Sequence, residues 1–470
     1  MEETGAAEAN VVESPPSPTT AMANSGSCVV DMDRMVSHDN SSEPSSAEKS
    51  MLRRHSIYRV PAYIKNMTNR NAYRPQVVSL GPFHYGERPL QPMEEHKQRA
   101  VAQMVSRSGK PRQEFTAAVE EIAEQLRGAY ESLGEKWSGV DIMGTPYPYG
   151  MWSGERFVEV MVTDGCFLLE AMRTFVTFQK NGEIEGYAPD DPVFSKHGDL
   201  YLSDCIISDM LVIENQLPLQ LLQTLMFVET DNSQDDKWIN DWVNLLSYTI
   251  TPTTPVDDLQ GLHPLDVLQK IVSGTRRNSQ MSTEDDVHMP SAAELRDAGI
   301  RFKVSKGKGF GSTVSFKRGV LHVPEILLYD SAERMFLNLM AFEKLHPDTG
   351  NEVTAFVYFM DYLINTAKDV QLLRDRGIIK HGLGSEEAVA NLINNTLTKG
   401  AAIDRESSLI DVMVEVDAYY KKRRNKWRAI LLHTYFSNPW VFISLVAATV
   451  LLIATVIQTV YAILSFNSKT

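Results

Sequence analysis

SDCIISDMLVIENQLPLQLLQTLMFV, from Ser203 to Val228, decides the fold class. Wound as a helix, the stretch is apolar on most faces, which places it in a core rather than on a surface. Pro218 lacks an amide donor and crowds the preceding turn, so a kink or break is expected after ENQL. Glu214 and Asn215 stand inside this apolar run, and so does Asp164 in VTDGCFLLE. A buried charge is costly unless it is paired. These residues therefore mark either a site or an internal polar network. The network is the simpler reading: Asp164 bonding local backbone at a kink near Gly165, Asn215 and Gln216 satisfying carbonyls freed by Pro218.

Working outward, helical periodicity recurs from Phe115 to Leu133, Glu155 to Phe178, Pro264 to Val272, Ser291 to Ala298, Ser331 to Leu345, Glu352 to Arg376 and Glu386 to Leu397. A helix from Asp236 to Ile250 puts Trp238 and Trp242 on one face, and a last one starts near Arg405 and runs through the basic stretch towards the membrane. Ser331 is a credible N-cap and Gly377 a credible C-cap. Ile300 to Val304, Val314 to Phe316 and Val320 to Tyr329 carry the best strand pattern and predict a small antiparallel sheet. Ile57 to Val101 holds Pro61, Pro75, Pro82, Pro89 and Pro92, which forbid a long helix before about Pro92. VVSL, Val77 to Leu80, reads as a short strand before a Gly81-Pro82 turn.

Val441 to Phe466, VFISLVAATVLLIATVIQTVYAILSF, has 20 apolar residues of 26 and no charge. A helix of that length spans about 39 Å, against roughly 30 Å of bilayer hydrocarbon. The fold class is thus mainly α: a helical body with a small antiparallel β element and one C-terminal transmembrane helix. Residues 1–50, rich in Ser, Pro and acid, are expected to be a disordered tail. Residues 51–420 form the body, 421–440 a basic juxtamembrane segment, 441–466 the membrane helix and 467–470 a short tail.

The chain has 470 residues and net charge −14, while residues 421–470 hold seven bases and no acid. An acidic body argues against nucleic acid as a partner. Six bases in KKRRNKWR (Lys421, Lys422, Arg423, Arg424, Lys426 and Arg428) precede the membrane helix. The positive-inside rule then puts the body in the cytosol, with these residues against anionic lipid and Trp440 and Tyr461 as interfacial anchors. MEETGAAEANVVESPPSP has no basic start or apolar core, so it is not a secretory signal. Ser444, Ala448, Thr455 and Thr459 share a stripe of the membrane helix, with Ala462 on it and Gln458 beside it; the stripe suits close helix association and a homo-oligomer.

Cys28, Cys166 and Cys205 make no disulfide framework, and the last two read as buried thiols. Gly307, Gly309 and Gly311 in KGKGFGS fit no phosphate-loop spacing and read as a hairpin tip. No catalytic, cofactor or metal motif is present in the sequence; an unfamiliar enzyme would have to use His84, Asp164 and Glu214. Ser56 and Ser279 end two R-R-x-S sites that a basophilic kinase could use. Sequons begin at Asn40, Asn66 and Asn394 and would stay unglycosylated in a cytosolic body.

IYRVPAYI, YRPQVVSLGPFHYG, LQPMEEHK, VTDGCFLLE, DMLVIENQLPLQLL, SAAELRDAGIRF, LHVPEILLYD, FLNLMAFEKL, DVQLLRDRGII and NPWVFISLVAATVLLIATVIQT occur in that order. Together, over about Ile57 to Thr459, they resemble the plant domain-of-unknown-function 247 family. The resemblance implies a mostly helical plant protein with a C-terminal membrane anchor and implies no reaction. Some grass members are associated with self-incompatibility. The expected function is a non-enzymatic, membrane-anchored recognition or signalling protein that binds another protein; the alternatives are the unfamiliar enzyme and a tether contacting anionic lipid.

Overall fold

The computed structural model describes residues 55–133, 137, 154–182, 186–231, 262–274, 289–305, 310–399, 401, 407–422 and 439–467. Residues 1–50, the Asp236–Ile250 helix, Gly307, Gly309, Ser279, Arg423, Arg424, Lys426 and Arg428 lie outside them.

A first group of helices is α1 (Ala62–Met67), α2 (Pro92–Ser108), α3 (Arg112–Glu121), α4 (Ala123–Gly128), α5 (Gly154–Asn181), α6 (Lys196–Met210) and α7 (Leu219–Thr230). Helices α2, α3, α5 and α7 pack on one another. The expected Phe115–Leu133 helix is two pieces, because Ile122 leaves the helical region at φ −105, ψ 4. The Ser203–Val228 stretch is broken, but earlier than after ENQL: α6 ends at Met210, one 3-10 turn covers Ile213–Asn215, and α7 restarts at Leu219, directly behind Pro218.

The second group is α8 (Pro264–Ser273), α9 (Ala292–Asp297), α10 (Phe310–Thr313), α11 (Ala332–Leu345), α12 (Glu352–Leu363), α13 (Ala367–Asp375), α14 (Glu386–Asn391, running into a π turn at Leu392–Leu397) and α15 (Ser408–Tyr420). A Thr366–Asp369 capping box starts α13, so the expected Glu352–Arg376 helix is two helices. Gly377, at φ 72, closes α13 as expected. Ser331 makes no side-chain cap.

Strands β1 (Arg301–Val304), β2 (Ser315–Lys317) and β3 (Val320–Val323) form a sheet in the order β1-β3-β2. The β2–β3 pair is antiparallel, as the pattern predicts; β1 joins β3 in parallel. Strand β4 (Ile326–Leu328) pairs in parallel with β5 (Ile379–His381), a strand of three residues too short to show a period. KGKGFGS is not wholly a hairpin tip: Phe310 opens α10 and stacks on Phe356 at 4.3 Å between centroids. One apolar cluster runs from Ile57 to Val416 through both helix groups. Helix α16 (Pro439–Asn467) contains Ile443–Leu464, long and apolar enough to cross a membrane, with none of it buried.

Two close fits carry predictions. Where α5 meets α7, a Cβ on Gly165 would collide with the Leu225 side chain. Gly165→Ala should destabilise the body by about 1–3 kcal/mol through overpacking, read as a lower urea midpoint; an unchanged midpoint would contradict this packing. Separately, α12 has no side-chain cap of its own. Glu343 of α11 supplies one, accepting from Val353 N at 2.8 Å, Thr354 N at 2.9 Å and Thr354 Oγ1 at 2.7 Å. Burial pushes its carboxyl up to about 7, with the Val353 and Thr354 donors pulling back. Folding raises this pKa, so its stability contribution is full below the unfolded value near 4.5 and is lost as pH rises through about 7. Subtracting Glu343→Gln stability from that of the unaltered chain at several pH values should reveal this fall; a flat difference counts against it.

Candidate functional site

The residues predicted to be extended at Val77–Leu80 form no strand. Their amides, which a strand would give to a neighbouring strand, go to buried side chains instead. Asp209, in the last turn of α6, accepts from Gln76 N at 2.8 Å, Val77 N at 2.7 Å and Val78 N at 2.9 Å. Asn215 accepts from Leu80 N at 2.7 Å and donates to the Val78 and Asp209 carbonyls. Asp164 of α5 accepts from Gly81 N at 2.8 Å. Gly81 has φ +72, and a Cβ there would meet the Tyr130 hydroxyl at 2.8 Å, so this position requires glycine.

Each carboxylate has a cation. Arg334 of α11 pairs with Asp209 at 3.0 Å and also donates to the Ala72 and Arg74 carbonyls. Burial pushes Asp209 upward, and the Val78 amide and Arg334 pull it back. Lys97, with no exposed surface, lies 2.7 Å from Asp164 and 2.6 Å from Glu94. Burial pushes Asp164 up to about 6 despite Lys97. Glu214 accepts from Val60 N at 2.6 Å and pairs with Lys65 at 2.6 Å, with His84 Nε2 at 3.5 Å. Burial pushes Glu214 up, but His84, Lys65 and the Val60 amide outweigh it and hold the carboxyl below the usual glutamate range. Gln216 donates to the Met210 and Val212 carbonyls, so the expectation for Asn215 and Gln216 holds in kind. The expectation for Asp164 does not: α5 runs through Gly165 unbroken, and Asp164 reaches across to α2 and the proline-rich segment.

Of the three residues singled out for an unfamiliar enzyme, His84 and Glu214 meet at 3.5 Å, while Asp164 bonds separately to Gly81 and Lys97. All three are buried and bonded to structural partners. This arrangement fixes backbone: Glu214 holds Val60, Asp164 holds Gly81, and Asp209 holds Gln76 to Val78. Sequence reading missed Asp209, Arg334 and Lys97, the strongest members. Asp209 and Gln76 are 133 positions apart, and a spacing pattern carries no signal at that range.

The outer face of this latch is concave. Two adjoining cavities of about 550 and about 490 Å³ share Asp204, Ser208, Tyr329 and Ser331. Asn69, Asn71, Ala72, Gln76 and Arg334 wall the first. Phe175, Leu200, Ile207, Leu211 and Met335 line the second. The groove thus runs along α6 and the start of α11, with its wall set by the same backbone that Asp209 and Arg334 hold. Tyr329 and Leu200 stand beside it, 51% and 69% exposed.

Other residues singled out in the sequence are placed as follows. Lys421 pairs with Asp417 at 2.6 Å, and the Lys422 ammonium lies 5.4 Å from the Tyr419 ring. Trp440 is exposed, as are Ala448 and Tyr461. The hydroxyls of Ser444, Thr455 and Thr459 donate to helix carbonyls four residues back. Ser56 is buried, not exposed: its amide donates to the Ala129 carbonyl and its own carbonyl bonds His263. Cys166 is buried and Cys205 half-buried. Among the described residues no group of three His, Cys, Asp or Glu side chains is arranged to hold a metal.

The family described as plant protein of unknown function, DUF247, matches residues 57–454. A UPF0481 protein of Arabidopsis thaliana is 30% identical over 448 residues, covering 88% of this chain and 87% of its own length. A putative UPF0481 protein of the same plant is 22% identical over 510 residues, covering 86% and 89%. No solved structure matches the chain.

Asp209→Ala strands three amides and the Arg334 charge. It should destabilise the body by about 3–5 kcal/mol, the usual result of removing one partner of a buried pair, while Asp204→Ala on the exposed side of the same helix should change stability by about 0.5 kcal/mol or less. Equal urea midpoints for the two variants would refute the latch.

Proposed function

The chain belongs to the plant DUF247 family, and from that premise we propose that it is a membrane-anchored, non-enzymatic recognition protein that binds another protein through the groove between α6 and α11, in self-recognition or defence signalling. The observation that carries this reading is the groove itself. Its two cavities have the size of sites that hold side chains of a ligand. Asp209 and Arg334 hold the backbone of Ala72 to Val78 from which one wall of the groove is built.

Ile443–Leu464 has a mean hydropathy of 2.3 and leaves its apolar side chains exposed, which supports a membrane anchor. Their hydroxyl groups bond within the helix, so the stripe of Ser444, Ala448, Thr455 and Thr459 stays compatible with lipid and with a second copy of the helix. Lys421 to Arg428 would contact anionic lipid and keep the body cytosolic.

A photo-crosslinking residue placed at Tyr329 in the full chain, expressed in plant membranes, should yield a reproducible protein adduct. The same residue at Phe227, also half exposed but outside the groove, should not. Equal yields at both positions would count against the groove. In intact microsomes an N-terminal tag should be digested and Asn66 and Asn394 should carry no sugar; protection with glycosylation would reverse the topology.

A further inference from the structure

The groove has an uneven chemistry that limits what it can bind; the inference below rests on the groove being a protein-binding surface. Leu200, Asp204 and Ile207 of α6 and Leu211 just past its end recur at helical spacing and line the second cavity together. Their apolar members meet Met335 to make a hydrophobic floor. Asp204 and Asp330 border it and are exposed. Among the described residues no lysine, arginine or histidine lies within ion-pair distance of Asp199, Asp204 or Asp330. The one cation in the wall, Arg334, is taken by Asp209 beneath it. Burial raises the Asp199 carboxyl, and the Asp204 charge raises it further, so these two acids of α6 repel one another. Elsewhere in this body, the more deeply buried acids Asp164, Asp209 and Glu214 are each paired with a cation.

We propose that the groove takes a basic peptide segment of a partner protein, seating an aliphatic or aromatic side chain over Leu211 and Met335 and a lysine or arginine against Asp204 and Asp330. A cation seated against Asp204 and Asp330 gains attraction from carboxylates that lack an ion-pair partner among the described residues, and the apolar floor excludes water around the anchor. Charge complementarity of this kind selects partners and speeds encounter. An acidic or uncharged segment would be rejected by the same rim.

The test uses the full chain in nanodiscs of zwitterionic lipid and a displayed library of random dodecapeptides. Selected peptides should be enriched in lysine or arginine beside leucine or an aromatic residue. Their affinity for Asp204→Lys/Asp330→Lys should fall at least tenfold and should weaken with added salt. Ser203→Trp, which fills the apolar half, should abolish binding. Acidic or neutral peptides that Ser203→Trp blocks but charge reversal spares would overturn the charge inference and leave the groove standing. Peptides indifferent to both variants, or no selected peptide, would overturn the groove as well. A synthetic peptide of residues 421–432 that binds more tightly than any selected sequence would overturn the assignment to another protein, placing this chain's own basic run there.

Discussion

One carboxylate takes three consecutive backbone amides and a guanidinium, and the rest of the body depends on that arrangement. Asp209 lies in the last turn of α6, where helix carbonyls already concentrate negative charge. It is stable there because Gln76, Val77 and Val78 donate to it from one side and Arg334 from another. Three prolines between Ile57 and Gly86 limit this segment to the six-residue α1, and among the described residues Gln76–Gly81 pair with no strand. Its amides would be buried without partners, at roughly 1–3 kcal/mol each. Asp209, Asn215 and Asp164 supply what a sheet would have supplied.

The same groups join the two helix packs. Asp164 belongs to α5 and is neutralised by Lys97 of α2; Arg334 and Asn338 belong to α11 and reach the Ala72 carbonyl. Asn338 also accepts from Ile213 N, inside the turn that separates α6 from α7. The proline-rich segment is therefore the seam of the body. A groove wall built on a seam held from both sides has a fixed shape, which lowers the ordering cost of binding.

Much of the fold was legible because periodicity is local. Most described helices of the body, the restart at Leu219, the Gly377 cap and the long apolar C-terminal helix follow from residues close in sequence. Local pattern failed where tertiary partners decide. Val77–Leu80 has β-branched strand composition, yet its hydrogen bonds go to residues more than 80 positions away. Strands β4 and β5 are three residues each and pair across about fifty positions. Glu214, Asn215 and Asp164 were visible as polar intruders in apolar runs, which is a real signal of a buried network. Their partners were not visible, since Lys97 and Arg334 look like ordinary charges on helix surfaces. The groove was not legible at all, because it forms only when α6 and α11 come together.

Amide hydrogen exchange on the full chain tests this account most directly. Gln76, Val77, Val78, Leu80 and Gly81 belong to no helix or strand. Their amides should exchange as slowly as those of α5, and Asp209→Asn should speed the first three while sparing α5. Fast exchange of these five amides in the unaltered protein would mean that the latch does not hold and that the groove wall is not fixed.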